Sequence, residues 1–120
     1  MDSQKQQALR DILALRHTGG ALLARDQLAL VLEGAQSRDR FLRAECIRAL
    51  QGCSDPAAIP VLVQAINDWY QPVVEAAIRA IAASKNASAI RPLYDFVRNG
   101  NPKLLRPCLA AIETLKKEAA

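Results

Sequence analysis

Laid against itself at an offset of 31 residues, the chain keeps apolar character in eight columns over three copies. One set of columns reads Leu28/Ile59/Ile90, Val31/Leu62/Leu93 and Ala35/Ile66/Val97. A second set reads Leu42/Val73/Leu104, Cys46/Ala77/Cys108, Ile47/Ile78/Leu109, Ala49/Ala80/Ala111 and Leu50/Ile81/Ile112. A fixed period of this size marks units that cannot bury their apolar faces alone and must stack on copies of themselves. No other feature of the sequence restricts the fold as much.

Within each copy the apolar positions step by three and four, the spacing of one face of a helix. Each copy therefore reads as two helices, A and then B, joined by a short polar turn. The A helices are expected near 25–35, 56–67 and 88–98, and the B helices near 39–52, 72–84 and 102–117. Asp55 before Pro56 reads as a cap followed by proline at the first helical position, where a missing N–H costs nothing. Gln71-Pro72 and Asn101-Pro102 open the next two B helices in the same manner, and Ser84 to Ser88 and Asn99-Gly100 break the helices apart. Pro107 falls inside the third B helix and should kink or delay it. The small columns Cys46/Ala77/Cys108 and Ala49/Ala80/Ala111 stand where a large side chain would push a neighbouring helix away.

Residues 4–16 add an amphipathic helix, and Ile12-Leu13-Ala14-Leu15 echoes Ile47-Arg48-Ala49-Leu50 at an offset of 35. The loop His17-Thr18-Gly19-Gly20 absorbs the extra length. This helix reads as half a repeat that covers one end of the stack. The expectation is an all-α fold, a right-handed α-α superhelix of about three and a half repeats and seven helices. One domain would span 1–120, with a capping half repeat at 4–20 and repeats at 21–53, 54–84 and 85–117.

Composition agrees. Hydrophobic residues make up 51% and charged residues 23%, which excludes the low-hydrophobicity, high-charge pattern of disordered chains. Aromatics are only 4%, so the core must be aliphatic, and five Gly and six Pro are too few to punctuate a strand-rich chain. Net charge is +4, with 8 basic and 7 acidic residues in 1–60 and 8 and 5 in 61–120, so neither half is strongly basic. A dedicated nucleic-acid binder concentrates its Lys and Arg. Three cysteines without a CxxC pair fit neither a disulfide framework nor a zinc site. The polar N-terminus lacks the apolar stretch of a signal peptide, and no window is apolar enough for a membrane span. A cytoplasmic location with the cysteines as thiols is expected.

The stretch Asp55-Pro56-Ala57-Ala58-Ile59-Pro60-Val61-Leu62, then Ala65-Ile66-Asn67-Asp68 and Val73-Val74-Glu75-Ala76-Ala77-Ile78-Arg79-Ala80-Ile81, resembles a HEAT-like repeat. It is most similar to the short type found in phycobilisome lyase subunits. That resemblance implies a proline that bends helix A (Pro60, with Pro92 one position further along in the next copy), an Asp that closes the A–B turn (Asp68), and an Arg near the start of helix B. The turn column reads Ser37/Asp68/Asn99 and the Arg column Arg43/Val74/Leu105, so the family's ladder of Asp–Arg contacts between repeats is expected to be eroded. The resemblance covers roughly residues 21–117 and implies a fold more than a function.

Catalytic chemistry finds no foothold. His17 is the one histidine, which rules out a His-based metal cluster and a HExxH site. It reads as a favourable charge after a helix C-terminus. GxSxG, GxGxxG and Walker A sequences are absent, as are the His-Glu pairs of iron enzymes built from HEAT-like repeats. Cys46 and Cys108 stand in alanine columns and read as small core residues, while Cys53 closes the first B helix with partial exposure. The expectation is no enzyme activity, no cofactor and no metal.

Binding candidates fall in two places. B helices commonly line the concave side of such stacks. Their positions facing away from the apolar columns are Arg43, Arg48, Glu75, Arg79, Arg106, Glu113 and Lys117, with Arg38, Arg40 and Lys103 near the helix starts. Arg48 and Arg79 share one column. The second place is Trp69-Tyr70, in the A–B turn of the middle repeat, since Trp and Tyr are enriched in interface hot spots. The leading reading is a protein-interaction module, a small adaptor, regulator or scaffold, holding a partner of acidic or mixed charge. A nucleic-acid-associated protein using the Arg stripe for phosphate contacts is the alternative, and a lyase- or chaperone-like accessory role follows from family analogy alone. Neither the identity of the partner nor the oligomeric state follows from the residues.

Overall fold

The computed structural model describes residues 3–16, 25–51, 53, 55–100 and 102–119. Among them are seven α-helices: α1 Ser3–Arg16, α2 Arg25–Gly34, α3 Arg40–Ala49, α4 Ala58–Ala65, α5 Gln71–Ala83, α6 Ile90–Asn99 and α7 Leu105–Ala119. Short 3-10 turns at Ala87–Ala89 and Pro102–Leu104 lead into α6 and α7. The described residues include no strand, and the architecture is an all-α HEAT-like solenoid. The loop around His17 lies outside the described residues.

Helix pairs α2–α3, α4–α5 and α6–α7 form the three hairpins, and the B helices α3, α5 and α7 lie side by side. Backbones approach more closely between successive B helices than between successive A helices. The buried columns explain the stacking. Val31/Leu62/Leu93 and Cys46/Ala77/Cys108 are each 0% exposed in all three copies, and Ala49/Ala80/Ala111 and Leu50/Ile81/Ile112 reach at most 5%. Leu42, Ile90 and Val97 are half-buried.

One column departs from expectation. Ile47 and Ile78 are 0% and 3% exposed, whereas Leu109 is 42% exposed. The cause is position in the row. Helix α5 packs on α3 and α7 packs on α5, but among the described residues no further helix packs on the outer side of α7. Periodicity gives a residue its repeat position; burial at that position also needs the next repeat.

At the opposite end α1 packs on α2 and α3. Gly34, the last residue of α2, makes this possible: a Cβ there would lie 2.6 Å from both Cys46 Sγ and Leu9 Cδ2. Leu9 is fully buried in that contact, with Ile12 and Leu13 beside it.

Helix starts differ from the sequence reading where proline is involved. Asp55 caps a turn rather than the helix: its Oδ1 accepts from Ala57 N at 2.9 Å, and α4 begins at Ala58. Pro60 and Pro92 are both the third residue of their helices, in the first turn, where no intrahelical N–H bond is lost. Pro107 delays its helix in the same way. The chain runs through the 3-10 turn Pro102–Leu104 before α7 begins, leaving Pro107 in its first turn. Beyond α5, whose C-cap is Ser84, Lys85 has φ of 58°, the left-handed conformation common after a helix C-terminus.

Candidate interaction surface

The A–B turns carry the polar chemistry of the fold. Asp39 caps α3, its side chain accepting from Phe41 N at 2.9 Å and Leu42 N at 3.3 Å. As Ser37 accepts from Asp39 N at 3.1 Å, Asp68 one repeat later accepts from Tyr70 N at 2.8 Å without capping α5. The same carboxylate receives a bidentate grip from Arg43 of the preceding repeat, Nε to Oδ2 at 2.8 Å and Nη2 to Oδ1 at 3.0 Å. Arg43 Nη1 also donates to the carbonyls of Ser37 at 3.0 Å and Arg38 at 3.2 Å. With side chains only 11% and 12% exposed, the pair is a partly buried tie between the turns of the first two repeats. One rung of the Asp–Arg ladder therefore survives. Its counterpart one repeat on is Val74 and Asn99, neither charged.

That tie holds an exposed aromatic group. Trp69 is 71% and Phe41 59% exposed, at the turn of the second repeat and the start of α3. Tyr70 lies between them, half-buried against the core: its ring is 5.8 Å from Phe41 in an edge-on arrangement (84°) and 5.8 Å from Trp69 at a tilt of 54°. The Arg40 guanidinium sits over all three rings, 5.0 Å from the Phe41 centroid, 5.3 Å from Tyr70 and 5.6 Å from Trp69, and Arg43 is 5.6 Å from Trp69. Cation–π contacts of this kind contribute about 0.5–1 kcal/mol each at exposed sites. An open groove of ≈ 240 Å³ runs beside Trp69, lined by Ile66, Val74, Phe96 and Leu104 together with the polar Asn67, Asp68 and Gln71. It lies where Val74 stands in place of an arginine.

The sequence candidates fall into three sets. Trp69, Tyr70 and Arg43 come together, with Arg43 committed to the inter-repeat tie. Arg48 and Arg79 are exposed at equivalent positions of α3 and α5, while Glu75 is half-buried and accepts from Gln71 Nε2 at 3.2 Å. Arg106, Glu113 and Lys117 are exposed on α7, the last helix of the row. The sequence reading missed Phe41. The signal was available: a large apolar side chain adjacent to, but outside, the apolar columns, where the other copies carry Pro72 and Lys103.

The cysteines are unpaired thiols, Cys46 and Cys108 buried and Cys53 half-buried. Burial, with Glu45 adding to it, pushes the Cys46 thiol up to about 12, and burial raises Cys108 as well. Both are therefore protonated and unreactive at neutral pH. Among the described residues no group of His, Cys, Asp and Glu is arranged to hold a metal ion, and no helix is long and apolar enough to cross a membrane.

A family model for HEAT repeats matches residues 25–116, α2 through most of α7. No curated protein matches the chain.

Proposed function

Because this chain belongs to the HEAT repeat family, we propose that it is a non-enzymatic protein-interaction module, a small adaptor or scaffold that grips a protein partner at the edge formed by Trp69, Phe41, Tyr70 and Arg40. The pattern of Pro60 and Asp68 on a short period favours the phycobilisome-lyase type within the family. HEAT repeats commonly mediate contacts between proteins, and a reducing cytoplasm suits the unpaired cysteines. The observation that carries the reading is the pair of large aromatic rings left open to solvent, Trp69 at 71% and Phe41 at 59%, the most exposed large apolar side chains among the described residues. A partner covering both rings would remove on the order of 250 Å² of apolar surface, about 6 kcal/mol at ~25 cal/mol per Å², before the cost of association.

Arg40 gives the edge a positive rim, and Arg48 and Arg79 extend positive charge along the B helices. An acidic or mixed-charge partner would be steered by this stripe and anchored by the rings. The ≈ 240 Å³ groove beside Trp69 would receive one side chain of that partner.

The test is affinity purification from the native host, followed by titration of the recovered partner. Phe41→Ala with Trp69→Ala, folded by circular dichroism, should weaken binding at least tenfold. Arg48→Glu with Arg79→Glu should weaken it in a manner that added salt diminishes. Undiminished binding by both double variants would retire the proposal. A gel shift of nucleic acid whose affinity falls by about one log unit per log unit of salt for each phosphate contact would replace it with the phosphate-binding alternative.

A further inference from the structure

Arg43 reaches acceptors in two turns at once. Its Nε and Nη2 hold the Asp68 carboxylate of the repeat ahead, and its Nη1 donates to the carbonyls of Ser37 and Arg38 in its own turn at 3.0 and 3.2 Å. One repeat on, the counterparts are Val74 for the arginine, Asn99 for the carboxylate, and Asp68 and Trp69 for the two carbonyls. Acceptor oxygens remain at all three places, and the donor is what is missing. Among the described residues, no side chain donates to the carbonyls of Asp68 and Trp69. Asn99 Nδ2 donates to Asp95 O at 3.2 Å and Gln71 Nε2 to Glu75 Oε1 at 3.2 Å, which leaves the oxygen of each amide to accept.

The ≈ 240 Å³ groove opens at this place, lined by Asp68, Trp69, Gln71 and Val74. Its buried side is Ile66, Val74 and Leu104, each at most 4% exposed, while Asn67, Trp69 and Gln71 are open to solvent. It adjoins a second open hollow, with which it shares Ile66, Asn67 and Phe96, and which Asp95 and Asn99 line. Both turn carbonyls follow the C-terminal end of α4, where the helix dipole favours positive charge. A groove below roughly 300 Å³ takes one side chain rather than a whole ligand. Adjacent oxygens, the aromatic rings of Trp69 and Phe96 and an apolar wall fit arginine, whose planar fork carries five N–H donors on an apolar stem. An aliphatic side chain would cover the oxygens and leave them unpaired.

We infer that the groove between the turns of the second and third repeats is a socket for an arginine side chain of the protein partner, seated as Arg43 is seated one repeat earlier. The inference rests on the reading of this edge as a partner-binding surface. It selects a partner of mixed charge, with an arginine in the socket and acidic groups toward Arg48 and Arg79.

Titration of the full chain with a capped Ala-Arg-Ala peptide tests it, followed by the emission of Trp69, the one tryptophan. The peptide should bind in about the millimolar range, at least about threefold tighter than versions with leucine or lysine in the central place. Asn99→Asp, which supplies the carboxylate that Arg43 finds in Asp68, should tighten arginine binding at least about threefold and leave the leucine peptide unchanged. Val74→Arg with Asn99→Asp, folded by circular dichroism, completes the rung within the chain and should abolish the arginine response. Phe41→Ala, which removes a neighbouring ring but no part of the groove, should leave that response intact. Equal binding of the arginine and leucine peptides overturns the inference, as does a response that survives the completed rung or is lost in Phe41→Ala. A chain that captures no protein partner yet shows the full arginine pattern supports the socket and counts against the adaptor reading alone.

Discussion

A pair of side chains shows how two repeats are tied and how the tie can be replaced. Arg43 and Asp68 are nearly enclosed, so removing one leaves the other poorly solvated and unpaired. Asp68→Asn should destabilise by about 2–3 kcal/mol. The protein supplies the replacement itself, because the next rung carries Val74 and Asn99. Arg43→Val with Asp68→Asn should cost at least about 1 kcal/mol less than the sum of the single variants, measured by urea unfolding; additive costs would mean that the two groups do not act as a pair. Column alignment within a repeat shows only an eroded ladder, because the contact joins α3 to the turn after α4 and so crosses between columns. Cys46 gives a second test. Its thiol stays protonated in the fold up to about 12, whereas in the unfolded chain it ionises from about 8.5. Between those values the native state holds a proton the unfolded state has lost, so stability falls as pH rises through that window. From pH 8 to 10.5, wild-type stability should fall more steeply than that of Cys46→Ala, in which this one contribution is absent. Parallel slopes would exclude a buried, protonated Cys46.

For whole helices the controlling quantity is how closely neighbours approach. Helix α5 sits between α3 and α7 and buries Val73, Val74, Ala76, Ala77, Ile78, Ala80 and Ile81. So many small residues let both neighbours come close, and Ala80 is 0% exposed while Ala83 faces solvent. Ala80→Leu should therefore cost about 1–3 kcal/mol through overpacking, and Ala83→Leu should stay within about 0.5 kcal/mol. Equal losses in thermal melts would contradict this register of α5. Helix existence and face were legible in the sequence because apolar residues stepping by three and four line up only when the backbone is helical. Helix starts were less so. Proline marks the first turn of a helix without saying which of its residues it will be, and Pro60, Pro92 and Pro107 all sit at the third. The aromatic edge was half legible: Trp69 and Tyr70 stand out in the sequence, but their meeting with Phe41 and Arg40 depends on how one repeat is set against the next.

Across the whole molecule, a stack that contacts itself only through neighbours distributes its stability unevenly. Interior helices are held from two sides and terminal ones from one. α5 has α3, α4 and α7 against it, while among the described residues α7 has only α5 and α6 among the helices, with Leu105 and Leu109 exposed. The repeat period makes these helices look alike in sequence, and only their place in the row separates them, which is why Leu109 follows Ile47 and Ile78 in pattern but not in burial. Amide hydrogen exchange makes the difference measurable. In dilute protein, amides in the middle of α5 should exchange most slowly, and those at equivalent positions of α7 at least about tenfold faster, because α7 opens without breaking a second interface. Equal protection in dilute solution would mean that the chain unfolds as one cooperative unit rather than from its ends.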